Sequence, residues 1–220
     1  MLGLCLANSP AWADANPTAA DVQRSLDTLA DRKLVEPEQS LVRQTLEKTL
    51  ESLNAQADSQ QRLAALQKQL AQAPRQTQDA HRELEKLKAT KVVPVAQRYA
   101  GNSVAQLEQI LSERSAQLSD WQKQLNDANT LIVTAQTRPE RAQAEISSNQ
   151  TRAQQINSQL KNGREEGKPL SAERVNQLKA ELAQLGAMTQ LRRQEMAGNS
   201  VMQDLGLSLI HISEPTRRRG

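Results

Sequence analysis

The chain of 220 residues has no phenylalanine, one tyrosine, two tryptophans and one cysteine. With so few large aromatics and only 37% hydrophobic residues, it cannot fill a thick globular core. No stretch reaches the roughly 18 consecutive apolar residues that a membrane-spanning helix needs. The glycine-rich phosphate loop, the G-x-S-x-G elbow and the Cys-x-x-Cys pair are all missing. His81 has no second His or Cys at ligand spacing, which leaves it a surface side chain rather than a metal ligand. Glu165 and Glu166 sit in a polar stretch with no apolar pocket to raise a carboxyl pKa. The expectation is therefore no catalytic, no cofactor-binding and no metal site, and no enzyme.

A basic surface for nucleic acid is missing as well. The formal net charge is +3, and residues 207–220, with three Arg against Glu214, hold +2 of it. The remaining charges fall in opposite-sign pairs three or four apart: Arg43 with Glu47, Glu83 with Lys86, Asp120 with Lys123, Arg141 with Glu145, Arg192 with Glu195. Such pairs are expected on solvated helix faces, each worth a few tenths of a kcal/mol.

What is present is heptad spacing. Leu107, Leu111, Leu118, Trp121, Leu125, Ala128, Ile132 and Ala135 stand four and three apart, broken only by Arg114. A second ladder runs through Ala142, Ile146, Asn149, Ala153, Ile156 and Leu160, and a third through Val175, Leu178, Leu182 and Leu185. This spacing keeps a narrow apolar stripe along one side of an α-helix, which only another helix can cover. Its regularity, with 24% charged residues and a mean hydropathy of −0.68, argues against a disordered polar tract. Trp121 occupies a seam position and is expected in the core, not as a ligand platform. Arg114 either sets register or carries its charge outward.

Both ends depart from the pattern. Leu2 to Ala7 is a short apolar run, followed by Pro10 and then Ala11-Trp12-Ala13, the small-x-small arrangement that signal peptidase accepts. Residues 1–13 are expected to be the remnant of a signal peptide whose start lies upstream. Leu4 is too large for Cys5 to be a lipid-attachment site, and cleavage at Ala13 leaves no cysteine for a disulfide. At Leu207 the helical pattern gives way to LSLIHISEPTRRRG. Residues 207–217 are similar to a translated transposon-derived sequencing adapter, so 207–220 is expected to be a non-native tail, with Pro215 ending any helix and His211 and Glu214 given no role. The natural gene is then expected to continue past Gly206.

Between these ends the sequence predicts an all-α chain of long antiparallel helical hairpins, a coiled-coil bundle over residues 14–206. Thr18 caps a short helix with Val22, Leu26 and Leu29 on one face. Pro37 opens a helix of more than thirty residues, about 50 Å at about 1.5 Å per residue, up to Pro74, with a continuation through Leu84 and Leu87. Lys91-Val92-Val93-Pro94-Val95 interrupts it. Ser103 and Gln106 form a capping box for the longest heptad helix, and Pro139 either starts a new helix or kinks a continuous one. Asn162-Gly163 and Gly167-Lys168-Pro169 bracket a polar loop, Ser171 caps the next helix, and Gly198 ends it. Ala100-Gly101-Asn102-Ser103-Val104 recurs as Ala197-Gly198-Asn199-Ser200-Val201, which reads as one junction used twice. Short connections favour antiparallel packing and a rod or narrow bundle.

Gln106-Leu107-Glu108, the heptad helix as far as Thr137, Gln136-Thr137-Arg138-Pro139-Glu140-Arg141-Ala142-Gln143, and Gly198-Asn199-Ser200-Val201-Met202-Gln203-Asp204 resemble the N-terminal periplasmic region of the large MscK or KefA type of mechanosensitive channel in the MscS superfamily. The resemblance covers about residues 14–206. It implies a potassium-dependent channel of the Gram-negative inner membrane, homo-oligomeric and heptameric by analogy, with its membrane helices and pore downstream. No pore-lining residue carries over. A periplasmic adaptor or scaffold, and a regulator of cell-wall hydrolases, are the alternatives, since each also needs only paired helices.

Overall fold

Helix-favouring residues at heptad spacing, punctuated by a few caps and glycines, give an architecture of helices and one short hairpin. The computed structural model describes residues 16–91 and 93–219, with side chains as far as Ile212. The expected signal-peptide remnant, Cys5 included, lies outside the described residues. The elements are α1 (Ala19–Asp27), a 3-10 turn (Leu29–Arg32), α2 (Glu36–Ala89), α3 (Val95–Tyr99), α4 (Val104–Asn162), β1 (Arg164–Glu165), β2 (Lys168–Pro169), α5 (Ala172–Ala197) and α6 (Asn199–Arg219).

The capping chemistry works as the sequence implies. The Thr18 hydroxyl accepts from the Asp21 N–H at 3.2 Å, and the Ser171 hydroxyl from the Arg174 N–H at 3.2 Å. At the start of α4 the Ser103 N–H donates to Gln106 Oε1 at 2.8 Å while the Gln106 N–H reaches back toward the Ser103 hydroxyl at 3.4 Å, so two otherwise orphaned donors are used. Helix α2 begins at Glu36, one residue ahead of Pro37; the second helical position also lacks an intrahelical acceptor, so proline is tolerated there.

Prolines interrupt less than expected. Pro74 lies inside the 54 residues of α2 and Pro139 inside the 59 of α4, so Pro139 belongs to a continuous helix. Pro215 lies within the span of α6 and does not end it. An interior proline removes one N–H and crowds the carbonyl four residues earlier, but the ladder resumes on either side.

The polar stretch after α4 is a hairpin. Gly163 adopts φ 64° as its N–H bonds the Gln159 carbonyl at 2.9 Å, a left-handed C-cap. Arg164 then pairs with Pro169 and Glu165 with Lys168 in antiparallel register. Glu166 and Gly167 both have positive φ, 49° and 80°, the two-residue turn that matches strand twist.

The chain forms two compact units. The first holds the described residues through Ala65 with Ala142–Gln194. Its core takes Val22 and Leu29 from α1 and the 3-10 turn, Leu46 and Thr49 from α2, Ile156 from α4, and Leu178 and Ala180 from α5. Helices α4 and α5 run antiparallel, since Glu145 meets Arg192, Asn149 Nδ2 reaches the Thr189 hydroxyl at 3.5 Å, and Arg152 meets Glu181. Arg192 and Glu145, each read as the partner of a neighbour on its own helix, thus join two helices. Helix α5 does not bury one stripe: from Glu173 to Leu185 no residue is fully exposed, and Asn176 and Gln177 are buried beside Leu178. A helix enclosed on several sides loses the single-seam signature on which the Val175–Leu185 ladder rested.

The second unit holds Leu66–Arg141 and the residues from Glu195 onward. Ala73 of α2 packs with Met202 and Leu205 of α6, flanked by Leu70, Leu131, Val201 and Leu209. Helix α6 runs parallel to α2, with Gly198 at Leu70 and Ser208 at His81, and antiparallel to α4, with Asn199 at Ala135 and Gly206 at Ala128 and Ile132.

Candidate functional site: the junction at Gly198 and Asn199

The two segments that carry the resemblance most specifically, around Pro139 and at Gly198-Asn199-Ser200-Val201, meet within the second unit. Pro139 has no N–H, so the Ala135 carbonyl four residues earlier loses its helical donor. The Asn199 side chain supplies a replacement, Nδ2 donating to the Ala135 carbonyl at 2.8 Å. Pro74 in the same way deprives the Leu70 carbonyl, and Leu70 is the residue packed on Gly198. A Cβ added at Gly198 would stand 2.5 Å from the Leu70 methyls, so glycine is what lets the start of α6 sit against α2. About two turns further on, a Cβ at Gly206 would lie 3.3 Å from the Ala128 carbonyl and 3.0 Å from Ile132. The backbone oxygen cannot rotate away, and α4 and α6 approach closely there.

The repeated five-residue string does not make one junction twice. Gly101 has nothing within 4 Å of an added Cβ, and Ser103 caps α4 from outside it. At the second copy α6 already begins at Asn199, so Ser200 is inside the helix and Asn199 is spent on α4. The same residues serve solvent capping in one place and interhelical packing in the other, a difference set by the neighbours and absent from the string itself.

Among the described residues, the ion pairs that join separate elements lie in the first unit. Arg152 forms a two-pronged pair with Glu181, 2.7 and 3.1 Å, which raises the pKa of the arginine. Arg174 joins Glu165 at 2.8 Å through Nε and Gln177 at 2.7 Å, and Gln159 donates to Glu165 at 3.2 Å. The Arg174 guanidinium bonded to Glu165 holds that carboxyl below the usual glutamate value, with Arg152 adding to it. Arg32 meets Glu173 at 2.8 Å. These are partly exposed locks between elements, with their charges matched in pairs.

The residues weighed as candidate sites scatter. His81 Nε2 lies 3.3 Å from the Ser208 hydroxyl, which also donates to the Asp204 carbonyl at 2.8 Å. Glu165 is in the hairpin pair just described, and Glu166 in its turn. Arg114 is exposed and donates to Gln117 Oε1 at 2.7 Å, its charge carried outward. Trp121 is 38% exposed and not core: among the seam positions of this ladder, full burial begins only at Ala128. His211 is exposed. Among the described residues no group of three or more His, Cys, Asp or Glu could hold a metal ion, and no helix is long and apolar enough to cross a membrane. In the sequence Asn199 belongs to a stop-and-cap string; its bond to α4 answers the donor missing at Pro139, sixty residues earlier, which nothing in the string pairs with it.

The sequence profile of the mechanosensitive ion channel porin domain matches residues 25–208. The chain is 30% identical over 208 residues to the mechanosensitive channel MscK of Escherichia coli (strain K12), an alignment covering 91% of this chain and 18% of that protein. The chain thus spans about one fifth of the length of the curated relative it matches. No solved structure matches. The family is one of ion channels and not of enzymes. With a profile that runs from α1 through the Pro139 segment and the Asn199 junction to Ser208, this chain belongs to the mechanosensitive ion channel porin domain family.

Proposed function

We propose that residues 14–206 are the N-terminal helical domain of a mechanosensitive channel of the MscK or KefA type, potassium-dependent and opened by membrane tension in osmotic downshock. The domain lies on the periplasmic face of a Gram-negative inner membrane, within a homo-oligomer, heptameric by analogy, and takes no nucleic acid. Residues 1–13 belong to a signal peptide and 207–220 are a non-native tail. The observation that carries this reading is the profile match over residues 25–208, joined by the similarity to MscK. The helical seams fit it: they offer packing surface and stiffness and hold no reacting groups. Conduction belongs to parts of the channel other than these helices.

The test begins with the gene, sequenced from its source across the codons for Leu205 to Gly220 and onward. The expected result is that LSLIHISEPTR disappears and the frame continues into several apolar spans. Deleting codons 14–206 from the complete gene should then alter the tension at which the channel opens in membrane patches, in cells lacking their other mechanosensitive channels. A frame that stops without apolar spans refutes the channel reading and leaves a periplasmic adaptor.

A further inference from the structure

The pairing of opposite charges along the helices lapses between Glu85 and Glu108. Residues 86–107 hold Lys86, Lys88, Lys91 and Arg98 and no acid. Lys86 and Lys88 pair back to Glu83 and Glu85 in the last turns of α2. Lys91 and Arg98 are exposed, and neither has an ion-pair partner among the described residues.

These two cations stand where the chain turns from α2 into α4, at one end of the second unit. Helix α3, which fills the turn, has no buried residue. Val95 is 70% exposed, and Val93, just ahead of Pro94, is 43% exposed. Val95 and Arg98 are three apart on α3 and so are neighbours on its surface. Tyr99, one residue on, is half-buried.

We propose that this tip, built on Lys91, Val95 and Arg98, rests on the surface of an anionic phospholipid bilayer. Valine gains by leaving water and a cation gains by approaching headgroup phosphate, and the bilayer interface offers both at one depth. An arginine one turn from an exposed valine keeps its stem on the apolar side while its guanidinium fork bonds phosphate. Nucleic acid fits less well, because two free cations neutralise few phosphates and the tip has a single aromatic for stacking. Each cation at an anionic leaflet is worth about a fivefold gain in partition. One tip therefore binds weakly, and the tips of an oligomer bind together. The inference goes beyond the channel reading, from which it takes only that a membrane lies near.

Co-sedimentation of the full chain with lipid vesicles tests this. The background carries Arg217→Gln, Arg218→Gln and Arg219→Gln, so that the C-terminal arginines do not account for binding. The expected result is binding to phosphatidylglycerol-rich vesicles, little to pure phosphatidylcholine, and a loss as salt rises from about 0.05 to about 0.3 M. Lys91→Glu with Arg98→Glu weakens binding at least about tenfold, with helix content unchanged by circular dichroism. Lys48→Glu with Lys68→Glu makes the same change in net charge at exposed positions elsewhere, and weakens it less than about threefold. In a Cys5→Ser background, a polarity-sensitive dye on Val95→Cys shifts its emission to shorter wavelength when the anionic vesicles are added. No binding, equal binding to neutral vesicles, or indifference to the reversal at Lys91 and Arg98 would overturn the proposal. Binding of polyglutamate in preference to the vesicles would overturn it in favour of an acidic protein partner. Each of these results leaves the family match, and the channel reading that rests on it, as they stand.

Discussion

Helix α4 carries one seam with two outcomes. From Ala128 to Ile156 most of its seam positions, alanine at half of them, are buried; from Val104 to Trp121 positions of the same spacing, held by larger side chains, are exposed. Periodicity reports which side of a helix is apolar, because it is a property of the helix alone. Whether that side is covered depends on where other segments run, and in this chain α6 and α5 reach only the later stretch closely enough to bury it.

The largest effect that would sharpen this contrast comes from truncating one seam residue in each stretch. Ile156→Ala, at a fully buried position, should destabilise the chain by about 2–5 kcal/mol in denaturant unfolding. Leu111→Ala should stay within about 0.5 kcal/mol. Equal costs would mean that the earlier stretch is packed after all.

Asn176, on the helix that covers the later stretch, is 2% exposed and neither its Nδ2 nor its Oδ1 has a partner. Replacing it with leucine, of similar size, should stabilise by about 1–2 kcal/mol, because an unpaired buried amide forfeits its hydration. A loss of stability from Asn176→Leu would show that the amide is satisfied in solution.

Asn199→Ala removes the donor on the Ala135 carbonyl and should cost about 1 kcal/mol. In a Pro139→Ala background the restored backbone N–H takes over that carbonyl, and the cost should shrink. A double-mutant cycle with no coupling would separate the two residues.

The smallest effect concerns pH. Glu165 titrates below its ordinary value because Arg174 bonds its charged form. The folded pKa is depressed, so the pair adds stability above the unfolded glutamate value and loses it as pH falls through the folded one. Glu165→Gln should lower the unfolding midpoint slightly at neutral pH, where the pair is intact, and the difference from the parent chain should vanish as pH falls through the acidic range; the effect is small because partly exposed pairs contribute little.

Much of the fold was legible. Thr18, Ser103 with Gln106, and Ser171 mark helix starts because capping is a contact within four residues, and the sequence contains both partners. Gly163 and Gly167 mark the hairpin turn for the same reason. Apart from the prolines, the misses are nonlocal. Trp121 looked like core because its spacing is right, yet its cover lies outside its own helix. Arg192 and Glu145 join across α4 and α5, a contact that spacing within one helix cannot indicate. The second Ala-Gly-Asn-Ser-Val copy looked like the first because five residues cannot encode what packs against them. The junction itself was half legible: its two segments drew notice separately, and only the fold joins them.

Pro74 and Pro139 each remove a rung from a different helix, and the residues left short, Leu70 and Ala135, both border the first turn of α6, itself a fresh helix start after Gly198. Within the second unit three helices are therefore weakened at one level. Load carried along an unbroken helix passes through its hydrogen-bond ladder; at this level part of it passes through a leucine side chain on a glycine and one asparagine amide. Elements in series deflect most where they are softest, so compliance is concentrated in a single cross-section, and its size is set by the two side chains that span it.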